Sequence, residues 1–312
     1  MNSLFGDLLK ISSGLICRGT LVVLAAAHLS ATAQNVADNS SAKSNFTLAV
    51  IADCQYAEQP DNGKRLYTLC PDKLQQAVAV LNAKMPDAVI HLGDFIDKDF
   101  KSFDRLLAIT DKLEPPMYHV LGNHDFSVAD EFKTQVVRKL SVPARYYAFD
   151  HFDWRFIALD GNDVSTYGWP ENTAKHAENM ALYHAKYSQQ KRWNGALGDE
   201  QLVWLKQALD KATRENKKVV LLSHFPIFPV NMHNLWNAAA VLELIKPYKV
   251  VKAWFSGHNH DGHYGTTEGI HFVTFHAMLD TPDTAFSFVT FSPSQIVIKG
   301  QGRQPSMQLT IR

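Results

Sequence analysis

Five short polar clusters, each placed directly after an apolar run, hold the residues of this chain that could do chemistry. Asp53 and Gln55 close the first, in "AVIADCQY". Asp94 and Asp97 follow in "HLGDFID", and Asn123, His124 and Asp125 in "VLGNHD". His224 stands in "LLSHFP", and His258 and His260 in "FSGHNHDGH". Carboxylate and amide oxygens are hard donors and imidazole a versatile one, so the set suits divalent cations. His258 and His260 share one face of an extended segment, because alternate residues do. The glycines at 93, 122 and 257 suit sharp turns and close approach of backbone to a ligand. One histidine at a strand end is ordinarily a hydrogen-bonded core or surface residue. Five such fragments in order point instead to a centre for two metal ions.

Those clusters need a scaffold that brings strand ends together. Short β-branched runs predict strands at Phe46–Ile51, Ala88–Leu92, Met117–Leu121, Arg145–Phe149, Arg155–Leu159, Val219–Leu222, Val251–Phe255 and Ile270–Phe275. A hairpin, "AFSFVTFSPSQIVIKG", follows them. Helical periodicity covers Asp72–Lys84, Ser102–Leu113, Ala129–Leu140, Asp199–Ala212 and Leu235–Leu244, with Asp199 as an N-cap. Strand–helix alternation followed by consecutive strands predicts an α/β fold of two packed sheets with outer helices. Ligands in such folds gather at the carboxyl ends of strands. Residues 161–198 resist the scheme, with Tyr167, Trp169, Tyr183, Tyr187 and Trp193 spaced without period. So long an irregular insert either covers a substrate or packs on itself as a surface excursion.

Composition narrows the partners. The 312 residues are 46% apolar, enough for a full core, and 31 basic side chains balance 31 acidic ones. Such a chain carries no electrostatic footprint for nucleic acid or an anionic membrane. Lys10, Arg18, the apolar run Leu21–Leu29 and Ala31-Thr32-Ala33 predict a cleaved export signal over 1–33, with no stable membrane association afterwards. An uncleaved anchor over Ile11–Ser30 is the alternative. A flexible lead-in over 34–45 and one domain over 46–312 would follow. Export permits a disulfide between Cys54 and Cys70. Two semi-buried thiols are the favoured expectation, because Cys54 lies inside the candidate metal strand.

The order Asp-x-Gln, Gly-Asp-x-x-Asp, Gly-Asn-His-Asp, a lone His and Gly-His-x-His resembles the calcineurin-like metallophosphoesterase superfamily. The resemblance implies a four-layer α/β sandwich, two packed mixed β-sheets flanked by helices. It makes Asp53, Gln55, Asp94 and His260 ligands of one metal, and Asp94, Asn123, His224 and His258 ligands of the other. His124 would sit beside substrate as the leaving-group acid, oriented by Asp97. Where most members carry Asp-x-His, this chain has Gln55, a neutral oxygen donor that suits Mn²⁺ or Mg²⁺ better than Zn²⁺.

Asp-x-Gln-Tyr is also the form found in the manganese-dependent ADP-ribose/CDP-alcohol diphosphatases. "DCQYAEQPD", "LGDEQLVWL", "HFPIFP", "NLWNAAAVL" and "GHNHDGHY" look like stretches of that family. The likeness spans roughly residues 46–306. It implies two divalent ions, Mn²⁺ first with Mg²⁺ or Fe as others, which activate water and neutralise phosphoryl oxygens. It further implies a small nucleotide substrate cleaved at its pyrophosphate. Arg65, Tyr56, Tyr67, His263 and His276 are candidate substrate contacts. An exported phosphomonoesterase, a cyclic-nucleotide phosphodiesterase and a non-catalytic binder of phosphorylated ligands are the alternatives.

Overall fold

Two sheets stack on one another in the computed structural model, which describes residues 45–311. The first contains β1 (Phe46–Ile51), β2 (Ala88–His91), β3 (Met117–His119), β10 (Ala285–Phe291), β11 (Gln295–Gly302) and β12 (Met307–Thr310), in the order β12-β11-β10-β1-β2-β3. The second contains β4 (Tyr147–His151), β5 (Trp154–Leu159), β6 (Lys218–Ser223), β7 (Val251–Ser256), β8 (His263–Thr267) and β9 (Ile270–Thr274), in the order β4-β5-β6-β7-β9-β8. Both are mixed. β1, β2 and β3 run parallel, as do β5, β6, β7 and β9, while the remaining pairs are antiparallel.

Helices α1 (Cys70–Lys84), α2 (Ser102–Thr110), α6 (Asp199–Arg214) and α7 (Ala238–Ile245) lie in the connections between strands. β6 shows why its sequence is apolar without alternation: both of its faces are buried. Val220 and Leu222 enter the core between the sheets with Leu48, Phe156, Phe255 and Phe291. Val219 and Leu221 pack beneath Leu205 and Leu209 of α6 and Val241 and Ile245 of α7. Each such side chain, fully removed from water, contributes about 1.5–3 kcal/mol.

The predicted leader over 1–33 and all but the last residue of the lead-in lie outside the described residues. Several local expectations need correction. The helix expected over 129–140 is two single turns, α3 (Asp130–Lys133) and α4 (Val136–Lys139). Gly198, not Asp199, is the N-cap of α6, and its N–H donates to Asp163 Oδ2 at 3.0 Å. The insert contains a helix, α5 (Ala174–Leu182), which starts where Thr173 Oγ1 accepts the His176 N–H. Most of α5 is half-buried or exposed, so its apolar period is faint.

Cys54 and Cys70 also depart from expectation. Both are fully buried and they form a disulfide, with Cα atoms 5.6 Å apart. A 3-10 turn over Tyr67–Leu69 leads into α1, whose first turn also holds Pro71, and sets Cys70 against the loop that follows β1. Lys73, one turn along the helix, donates to the carbonyls of Met278 (2.5 Å), Leu279 (3.2 Å) and Thr281 (2.8 Å). α1 is thereby tied to two loops at once. Because the bridge closes a 16-residue separation, Cys70→Ala should lower unfolding free energy by about 3 kcal/mol. Urea denaturation of the oxidised wild type and the variant measures this, and equal midpoints would contradict it.

Candidate metal centre

Each candidate donor lies just past the end of a parallel strand. Beyond β1, residues 53–56 run alongside 93–97: Asp53 N–H donates to Gly93 O (3.2 Å), Gln55 N–H to Asp94 O (2.8 Å) and Tyr56 N–H to Phe95 O (3.3 Å). On the other side, Met278 and Leu279 N–H donate to the carbonyls of Ala52 and Asp53, both at 2.9 Å. This lattice holds Asp53 (φ 51°), Gln55 (φ 50°) and Asp94 (φ 54°) in the left-handed region, and His258 (φ 67°) shares it. Such residues cost about 1–2 kcal/mol each and persist where their surroundings over-determine them. A Cβ on Gly122 would run into Asp94, and one on Gly257 into the Asp53 carboxylate. Both positions require glycine. Asp125, to which the sequence assigned no role, accepts N–H bonds from Gly122 and Phe95 at 2.9 Å, Asp94 at 3.2 Å and Ile96 at 3.3 Å. It locks the second and third clusters together, and its place in Gly-Asn-His-Asp was the available signal.

His224 forms the hub. Its Nδ1–H donates to the Leu92 carbonyl at 2.8 Å, so Nε2 is the nitrogen turned to the donor cluster, with a lone pair once its proton is displaced. That nitrogen meets Asn123 Oδ1 at 3.0 Å, His258 Nδ1 at 3.1 Å and Asp94 Oδ2 at 3.2 Å. The other Asp94 oxygen accepts the His124 backbone N–H at 2.8 Å. Buried acceptors facing one another at this range repel unless positive charge lies among them. Nearby, His260 Nε2 is 3.9 Å from Asp53 Oδ1. Gln55 Nε2 donates to Asp97 Oδ1 at 2.9 Å, which leaves its Oε1 buried without a partner. An orphaned buried oxygen costs about 1–3 kcal/mol, and a cation would satisfy it. The donors therefore fit divalent ions. Asp94, Asn123, His224 and His258 could hold one, and Asp53, Gln55, Asp94 and His260 another.

A cleft of about 280 Å³ opens onto these donors, with Asp94, Asn123, His258 and His260 at its floor and His124, Arg65, Trp193 and His233 around them. His124 Nδ1 lies 3.0 Å from both Asp97 Oδ1 and the Asp97 carbonyl, so Nε2 is the nitrogen left for the cleft. Burial disfavours its cation, but Asp94 and Asp97 outweigh burial and hold it above the usual imidazole range. Gln55 and Gln59 each donate to Asp97 at 2.9 Å and fix that carboxylate in turn.

Of the five expected substrate contacts, Arg65 alone lines the cleft. Tyr56 is buried, its hydroxyl held between Arg105 (2.8 Å) and Glu58 (2.9 Å). Tyr67 is buried against Ala57, Ala277 and Leu279. The apolar bodies of these rings are worth more in the core than at a wet cleft. His263 is exposed at the start of β8, its Nδ1 3.2 Å from the Tyr264 carbonyl. His276 packs against Gly262, and its backbone N–H is bound by Gln304 Oε1 at 2.9 Å. The insert divides between its two readings. Tyr183 and Tyr187 pack on Trp236, with ring centroids 5.1 and 5.3 Å apart, whereas Trp193, 43% exposed, stands at the cleft.

The profile of the family described as calcineurin-like phosphoesterase matches residues 46–262. The manganese-dependent ADP-ribose/CDP-alcohol diphosphatase of Oryza sativa subsp. japonica is 30% identical over 315 residues, covering 89% of this chain and 98% of the relative. Its namesake in Arabidopsis thaliana is 32% identical over 286 residues, covering 78% and 89%. The crystal structure of a dimetal phosphatase from Danio rerio superposes with a TM-score of 0.77 at 25% identity, covering 86% of this chain and 99% of that one.

Proton competition gives a test of the donor set. Burial pushes the Asp53 carboxyl up to about 6, with Asp94 adding to it and His224 and His260 opposing. Burial disfavours the His224 imidazolium too, but Asp94 and Asp53 more than reverse this and push it up to about 9. An incoming cation must displace these protons, so binding weakens as pH falls. Mn²⁺ affinity should rise about tenfold per pH unit between about 6 and 9, where His224 holds the proton, and more steeply below about 6. Isothermal titration across that range measures the slope. Affinity independent of pH would contradict the shared site.

Proposed function

The chain belongs to the calcineurin-like phosphoesterase family, a metal-dependent phosphoester hydrolase by that membership, and from this premise we propose that it hydrolyses the pyrophosphate bond of ADP-ribose- or CDP-alcohol-like compounds. One observation carries the reading: His124, braced by Asp97, stands in the wall of a cleft floored by the donor cluster. A module that only bound phosphorylated ligands would have no use for a leaving-group acid. The names of the similar plant enzymes supply the substrate class.

Divalent ions supply charge neutralisation and an activated water. Mn²⁺ is the proposed metal, because Gln55 offers an amide oxygen where an imidazole would favour Zn²⁺. The chain's residues do the rest. Water adds to one phosphorus and releases a proton to solvent, the bridging P–O bond breaks with its electron pair on the departing phosphate oxygen, and His124 Nε2–H protonates that oxygen. Asp97 keeps the ring aimed at that oxygen. Arg65 takes the phosphate that is not attacked, as a guanidinium can do with two parallel bonds. The cleft holds the reacting phosphates, so the nucleoside lies outward against Trp193, where ring stacking contributes about 1–3 kcal/mol.

The experiment is kcat/KM with Mn²⁺ on ADP-ribose, a CDP-alcohol, cyclic AMP and p-nitrophenyl phosphate, with products separated by chromatography. ADP-ribose should give AMP and ribose 5-phosphate, and the diphosphates should lead. His124→Ala should keep its metal and lose a factor of about 10²–10⁴ in rate. Trp193→Ala should raise KM for the diphosphates about tenfold or more and leave p-nitrophenyl phosphate unaffected. A monoester or cyclic nucleotide outperforming every diphosphate would overturn the substrate class. Export is part of the proposal as well, supported by the leader-like sequence over 1–33 and by the Cys54–Cys70 disulfide, a bond at home in oxidising compartments. Protein from the cell envelope should begin at Gln34. Full-length chain confined to the cytosol would refute it.

A further inference from the structure

We propose that Asn194 and Asp280, neither of them a metal ligand, set which ring nitrogen each histidine of the Gly-His-Asn-His turn offers: Nδ1 from His258 and Nε2 from His260. The proposal rests on the metal-binding reading of these histidines and is independent of the substrate.

For His258 the reasoning runs through an amide whose orientation is forced. Asn194 is buried, and its Nδ2 lies 2.9 Å from the Met232 carbonyl and 3.0 Å from the Asn234 carbonyl. A carbonyl oxygen only accepts, so both amide protons are spent there and the nitrogen end cannot turn away. Oδ1 is thereby fixed against His258 Nε2, at 2.8 Å. Oδ1 can only accept, so Nε2 carries the ring proton. Nδ1 is left with the lone pair, and it is the atom 3.1 Å from His224 Nε2, inside the donor cluster.

His260 is set the opposite way. Its Nδ1 lies 3.0 Å from Asp280 Oδ1, and Asp280 is fully buried, with Lys64 Nζ 3.4 Å from its other oxygen. The carboxylate accepts, Nδ1 carries the proton, and Nε2 faces Asp53. Partners of this kind orient metal-binding imidazoles and raise their basicity. The two rings differ in this respect. A neutral amide backs His258, whereas a carboxylate backs His260 and makes it the stronger donor. The aromatic insert thus has a second task, because Asn194 lies beside Trp193 and reaches past the cleft wall to a floor residue.

Long-range ¹H–¹⁵N NMR of histidine-labelled protein, loaded with diamagnetic Mg²⁺, reads the tautomer ring by ring. His258 should be protonated at Nε2 and His260 at Nδ1; the reverse at either ring overturns the proposal for that ring. Calorimetric titration with Mn²⁺ gives the second reading. Asn194→Ala and Asp280→Ala should each weaken one of the two ions about 10–100-fold. Asp280→Asn, which keeps an acceptor oxygen for Nδ1–H, should lie nearer to wild type than Asp280→Ala. Unchanged affinity for both ions in both alanine variants would overturn the proposal. Should a variant fail to fold, the wild-type tautomers still decide it.

Discussion

The structure depends on lone pairs forced together. Four acceptor atoms, His224 Nε2, His258 Nδ1, Asn123 Oδ1 and Asp94 Oδ2, meet in a buried space with contacts from 3.0 to 3.2 Å about the first of them. Once the His224 proton has left, nothing but a cation would hold such a set by attraction, since desolvated acceptors repel. The fold compels it from outside. The Leu92 carbonyl fixes His224, the His124 N–H occupies one oxygen of Asp94, and Asp125 clamps the two loops between. Left-handed backbone at four candidate donors and glycines against two carboxylates belong to the same constraint. So does the disulfide that ties the loop after β1 to α1. The strain is local, and the doubly buried strands beneath it supply the stability that offsets it.

The division of labour around the cleft follows from the same geometry. His124 and Asp97 form a pair at the cleft wall, yet Asp97 also receives the Gln55 amide. One carboxylate therefore orients both the proposed leaving-group acid and a candidate metal donor. That coupling explains why Gln55, unlike an imidazole, fits here: its nitrogen end satisfies Asp97 while its oxygen end stays free for a cation. A substitution at Asp97 should accordingly disturb metal binding as well as proton transfer.

Much of this was legible in the sequence where the physics is local. The strands ending in the five clusters could be read because apolar runs of four to six residues, bounded by glycine and polar groups, have few other uses. β8 and β12 escaped because both are edge strands, short and largely polar, with only one face to bury. Tyr56 and Tyr67 were misplaced because adjacency to a motif says nothing about which way a ring turns. The disulfide depends on how one 3-10 turn aims α1, which spacing alone does not encode. Asn194 and Asp280 lie 64 and 20 residues from the histidines they meet and belong to no motif. Tertiary contacts of that kind become visible only when the chain is folded.

The central claim is that these donors hold two divalent ions in the arrangement their lone pairs dictate. Anomalous diffraction at the manganese edge, from crystals grown with Mn²⁺, tests it most directly. The account predicts two peaks. One should lie among Asp94, Asn123, His224 Nε2 and His258 Nδ1, and the other against Asp53, Gln55 Oε1, Asp94 and His260 Nε2. A single peak, or a second ion that leaves Gln55 Oε1 without a partner, would contradict it.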